Sequence, residues 1–118
     1  MSRVVFAVVD DMFFAAKIRA TAEAVGVEVL FQRTEAALVE KAKQTRPNLI
    51  IVDLHNQKLD APNLARKLKA NDELRDIKLL AFFSHVETEL QRKALEAGFD
   101  QVLPRSVFSR DLGEILKK

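Results

Sequence analysis

Short apolar runs rich in β-branched residues alternate strictly with longer stretches of helical periodicity along this chain of 118 residues. Strand, helix and strand in alternation make a parallel sheet joined by right-handed crossovers, with helices covering both faces. The runs Arg3–Val9, Val27–Phe31, Leu49–Leu54, Ile77–Phe83 and Gln101–Leu103 read as strands. Arg3–Val9 and Leu49–Leu54 are almost continuously apolar, as in strands buried on both faces. Between the strands lie helical stripes. Phe14, Ile18, Ala22 and Val25 form the first, closed by Gly26, and Leu38, Val39 and Ala42 follow Thr34 as N-cap. Leu64 and Leu68 follow Pro62, which suits a first helical turn. Val86, Leu90, Ala94 and Ala97 precede Gly98, and Phe108, Leu112, Ile115 and Leu116 form the last stripe. The expectation is one domain, an α/β three-layer sandwich of five parallel strands and five helices.

Composition removes several function classes. The chain has no cysteine, so a disulfide scaffold, a Cys-ligated zinc site and a thiol nucleophile are excluded. Two histidines are too few for a His-rich metal site. Nineteen basic against seventeen acidic residues give a formal charge of +2, with no basic block of the kind nucleic-acid binding needs. Tyr and Trp are absent, and the eight Phe sit mostly in apolar context, which reads as core rather than a base-stacking platform. The apolar runs are too short to span a bilayer, and the first residues lack the tripartite pattern of a secretory signal. A cytoplasmic address is the default.

In open parallel sheets the ligand site lies beyond the carboxyl ends of the strands. Asp10 and Asp11 follow the first strand, Asp53 closes the third, Ser84 follows the fourth, and Arg105 follows the fifth across Pro104. The fold gathers these residues at one edge. Carboxylates about 4 Å apart at an effective dielectric near 20 repel by roughly 4 kcal/mol per pair. A cation should offset this, either Arg105 or a hard divalent ion such as Mg²⁺, which suits an all-oxygen carboxylate site.

The motifs VVDD (Val8–Asp11), IIVDL (Ile50–Leu54), AFFSH (Ala81–His85) and EAGFDQVLPR (Glu96–Arg105) resemble those of response-regulator receiver domains, and the resemblance covers essentially the whole chain. It implies the flavodoxin-like, CheY-like (βα)5 fold with strand order 2-1-3-4-5. It implies that Asp53 accepts a phosphoryl group from a histidine kinase or phosphotransfer protein. It further implies that Asp10, Asp11 and Asp53 hold Mg²⁺ together with the backbone carbonyl of His55, and that Ser84 bonds the acyl phosphate. The conserved basic role would fall to Arg105. A self-modifying acceptor that signals through protein contacts is implied, not a turnover enzyme, and no second nucleophile or base points to a hydrolase. The chain ends just after its last helical stripe, so no output domain is expected, and neither nucleic acid nor membrane is an expected partner.

Three departures from the family pattern favour a second reading, a phosphorylation-independent interaction module. Arg105 stands where Lys is usual, with the proline before it rather than after. A guanidinium fork differs from a point-charge ammonium, and it can clamp a phosphate or pair permanently with Asp53. Val102 stands where a switch aromatic is usual, and a valine cannot swing like a ring. His85 is bulky where a small residue is usual and would crowd the site entrance. His55 reads as a solvated loop side chain, Phe14 as core, and Met12 and Phe13 as partly buried near the site mouth.

Overall fold

A computed structural model describes residues 3–118. Five strands, β1 (Val4–Val8), β2 (Glu28–Phe31), β3 (Leu49–Asp53), β4 (Lys78–Phe83) and β5 (Gln101–Pro104), form one sheet in the order β2-β1-β3-β4-β5. All four pairings are parallel. The helices are α1 (Met12–Val25), α2 (Glu35–Thr45), α3 (Ala61–Ala70), α4 (Thr88–Ala97), α5 (Arg105–Arg110) and α6 (Leu112–Lys117).

Alternate strand residues serve two separate cores. Val5, Ala7, Leu49, Ile51, Leu80 and Phe82 face Phe14, Ile18 and Ala22 of α1 and Phe108, Leu112 and Leu116 of α5 and α6. Phe6, Val8, Ile50, Val52, Leu79, Ala81 and Phe83 face α2, α3 and α4 through Leu38, Ala42, Leu64, Leu68, Ala94 and Ala97. This two-sided burial explains why β1 and β3 read as unbroken apolar runs. On the first face Phe82 and Phe108 stack at 4.7 Å, and Phe14 packs tilted against both.

The helix starts follow local chemistry. Thr34 accepts the Ala37 N–H at 3.0 Å, and Asp60 accepts the Asn63 N–H at 3.1 Å with Pro62 in the first turn. Gly26 ends α1 at φ 74°, a left-handed conformation that glycine adopts without penalty.

The structure corrects the sequence reading in three places. The last helical stripe is two helices, not one. Asp111, at φ −100° and ψ 13°, leaves helical geometry, and Gly113 just beyond it, a poor helix former, lies beside Val25 and Thr21 of α1. Val86 lies outside α4 and is 78% exposed, because the helix begins only after Glu87. Met12 and Phe13 are 84% and 91% exposed, not partly buried, since α1 turns Phe14 and Ile18 toward the sheet and its first residues away from it. Among the described residues no helix is long and apolar enough to cross a membrane.

Candidate functional site

Because every strand runs the same way, all five carboxyl ends share one edge of the sheet. Asp53 is the last residue of β3, in register with Phe82 of the neighbouring strand. Asp10 and Asp11 bridge β1 and α1, Ser84 follows β4 directly and is exposed, and Arg105 opens α5 right after β5.

Asp53 is partly buried, and loss of solvent raises its carboxyl above the ordinary carboxylate range. The backbone N–H of His55, 3.0 Å from its Oδ1, and the neighbouring His55 and Arg105 side chains act in the opposite direction, while the Asp10 charge pushes it up further. Asp53 thus feels an acid and a base from two other strand ends.

The two acids after β1 have different surroundings. Asp11 caps α1: its Oδ1 accepts the N–H groups of Phe13 at 2.9 Å and Phe14 at 3.1 Å. Its Oδ2 accepts a hydrogen bond from the Arg105 guanidinium at 3.2 Å. These bonds, that from Phe14 foremost, hold its carboxyl below the ordinary range. Asp10 is exposed and pairs with Lys58 at 3.3 Å. Lys58 comes from the β3–α3 loop and carried no signal in the sequence. A cleft of about 430 Å³ opens beside Asp10, with Phe31, Asn56 and Lys58 in its walls.

Arg105 engages Asp11, not Asp53, so the permanent Asp53 pair considered from the sequence is not what forms. Its guanidinium carbon also lies 4.1 Å from the centroid of the Phe14 ring, a cation–π geometry. Val102 is partly buried against the core that faces α2, α3 and α4.

The His55 side chain is only 19% exposed and is not simply solvated. Its Nε2 lies 3.1 Å from the carbonyl oxygen of His85, its Nδ1 lies 3.7 Å from a carboxylate oxygen of Glu87, and the two imidazoles meet edge-on at 5.4 Å. His85 itself is exposed. The β3–α3 and β4–α4 loops are therefore joined over the site by side chains 30 residues apart, a contact that no local pattern encodes.

Among the described residues, no three histidine or acidic side chains stand grouped as a set of metal ligands. Asp10 and Asp11 each turn toward a side-chain cation. In type, however, Asp10, Asp11 and Asp53 offer only hard carboxylate oxygens, which fit Mg²⁺ or Mn²⁺ and exclude soft metals.

No sequence-family model matches the chain. It is 28% identical over 80 residues to the response regulator protein VraR of Staphylococcus saprophyticus, covering 68% of this chain and 37% of that protein. The chain thus matches little more than a third of that relative's length. The signal receiver domain of a signal transduction histidine kinase from Syntrophus aciditrophicus superposes with a TM-score of 0.84 at 24% identity, over 98% of this chain and 88% of that one. The Mn(2+)-bound form of response regulator Rcp1 superposes with a TM-score of 0.78 at 20% identity, over 98% and 89% of the two chains. The fold, including its sheet order, is that of the CheY-like receiver domains.

Proposed function

We propose that this chain, a receiver domain in fold, takes a phosphoryl group on Asp53 and relays that event through its protein surface. The observation that carries the reading is the setting of Asp53: a partly buried carboxylate at the end of the central strand, under the opposed charges of Asp10 and Arg105. Phosphoryl transfer asks a protein for positioning and charge neutralisation more than for covalent machinery.

An Asp53 oxygen attacks phosphorus, and an oxygen–phosphorus bond forms as the bond to the donor nitrogen breaks. The electron pair leaves with the donor imidazole. Asp53 is an anion at neutral pH and requires no general base. The N–H of His55 fixes one carboxylate oxygen, which leaves the attack to the other. Ser84 and Arg105 are the groups for the transferred oxygens, Arg105 through its fork of donors. Asp10, Asp11 and the carbonyl of His55 are the residues that would hold a divalent ion with Asp53. Such an ion supplies charge neutralisation between the acids and the incoming phosphoryl group. A response regulator of the same fold has been seen in a Mn(2+)-bound form, which supports a divalent ion at this edge of the sheet. An ion held by Asp10 would take the place of Lys58 there. The phosphoryl donor that suits such a site is a phosphohistidine on a kinase or phosphotransfer protein.

One observation favours a second reading, the phosphorylation-independent interaction module. Both oxygens of Asp11 are already engaged, by the start of α1 and by Arg105. Intact mass after incubation with acetyl phosphate and Mg²⁺ separates the two. A metal-dependent adduct of one phosphoryl group, lost with EDTA and in Asp53→Asn, is expected. No adduct, together with no Mg²⁺-dependent binding of beryllofluoride, would overturn the phosphorylation reading in favour of the interaction module.

A further inference from the structure

The seam between α1 and α5 is tied together at the site itself. Arg105, the first residue of α5, hydrogen-bonds Asp11 at 3.2 Å and lies 4.1 Å above the Phe14 ring, both on the α1 side. One turn along α5, Phe108 packs on Phe14 at 5.7 Å and stacks on Phe82 at 4.7 Å. Lys17 of α1 donates to the Ser109 hydroxyl of α5. Arg105 therefore belongs to two structures at once, the acid cluster and the aromatic seam.

We infer that Arg105 is the positioning residue that converts charge on Asp53 into a rearrangement of the α1–α5 seam. The inference rests on the phosphorylation reading above. The guanidinium already senses Asp53 but bonds Asp11. A phosphoryl group on Asp53 carries more negative charge than the single Asp11 carboxylate and presents three acceptor oxygens in the geometry a guanidinium fork matches. The fork leaves Asp11 for the phosphoryl group, and in doing so leaves the face of Phe14. The ring loses its cation, and Phe108, packed on that ring, repositions α5. An exposed cleft lined by Phe13, Phe14, Lys17, Arg105 and Ser109 changes shape as a result. This route needs no ring at Val102. It also gives Arg a task that Lys does not perform as well, because a planar guanidinium stacks on an aromatic face while an ammonium remains strongly hydrated.

The test is a ¹H–¹⁵N spectrum of the whole chain before and after addition of Mg²⁺ and beryllofluoride, a phosphoryl mimic. Wild type is expected to show shifts at Asp53, His55 and Ser84 and, with the same midpoint, at Phe14, Val107, Phe108 and Ser109. In Phe14→Leu, which leaves the acids and Arg105 in place, the site resonances should still move, while the shifts at Val107–Ser109 fall at least severalfold. Wild-type-sized α5 shifts in Phe14→Leu, or wild-type site shifts without α5 shifts, would overturn the inference and leave the phosphorylation reading standing. Wild-type site resonances that do not move at all would overturn the phosphorylation reading, and this inference with it.

Discussion

His55 reaches across the site to the backbone of His85, its Nε2 3.1 Å from the carbonyl oxygen and 3.4 Å from the amide nitrogen. With Nε2 carrying the proton, the ring donates to that carbonyl and holds the β4–α4 loop beside β3. Residues 84–87 have no strand or helix pairing of their own before α4 begins at Thr88. His55→Ala should cost about 1 kcal/mol of stability, the net worth of one such bond. Amide hydrogen exchange at Ser84–Glu87 should quicken more than in β3 or β4. Unchanged exchange in that loop would show that the bridge does not hold it.

Asp53 gives a pH signature. Its carboxyl is raised by burial, so the folded state binds its proton more tightly than the unfolded chain does. Ionising it costs the fold stability. The cost is absent below the unfolded carboxylate range, grows as pH rises from that range to the shifted value, and is complete above it. Asp53→Asn should therefore be more stable than wild type at pH 7 in metal-free buffer, by no more than about 1 kcal/mol, because solvent screens a half-buried carboxylate. The advantage should shrink toward zero in acid. Urea denaturation at several pH values measures it, and a pH-independent difference would rule out ionisation as the cause.

Lys58 pairs with Asp10 and would compete with a divalent ion bound there. The pair is exposed, with side-chain exposures of 66% and 47%, and the N–O distance is 3.3 Å. Such pairs contribute at most about 1 kcal/mol, equivalent to about fivefold in affinity. Lys58→Ala should tighten Mg²⁺ binding by up to about fivefold in calorimetric titration, while Asp10→Asn should weaken it. Weaker binding in Lys58→Ala would mean that the lysine supports the metal site rather than opposing it.

Phe108 is wholly buried and stacked on Phe82. Phe108→Ala should cost about 3–5 kcal/mol, a large share of a typical domain's stability, and Phe108→Leu distinctly less. Thermal unfolding of the two variants reads the difference. A small loss in the alanine variant would mean that α5 collapses readily into the space.

The fold was legible because burial on both faces leaves a plain signature. LIIVD, with its four apolar residues at most 6% exposed, can hardly be read except as a central strand. Thr34 and Pro62 marked helix starts through chemistry confined to a few neighbouring residues. The acids were legible for the same reason, since a carboxylate ending an apolar run stands out. What joins the site residues was not legible. Arg105 and Asp11 are 94 positions apart, and nothing near either one distinguishes that pair from Arg105 with Asp53. Val86 was misread because apolar spacing alone does not say where a helix begins, and Glu87 sets that boundary without a side-chain cap.

The two-faced packing of the sheet has a bearing on how sequence variation in this chain should be read. A slip of β3 by a single residue would exchange the sets of side chains facing the two cores and carry Asp53 away from Asp10 and Arg105. Leu38 and Leu112, on opposite sides of the sheet and both essentially inaccessible to solvent, therefore act together as a vice on the position of Asp53. A cavity made at either would loosen the packing that holds β3 in register, and so reach a carboxylate that neither leucine touches.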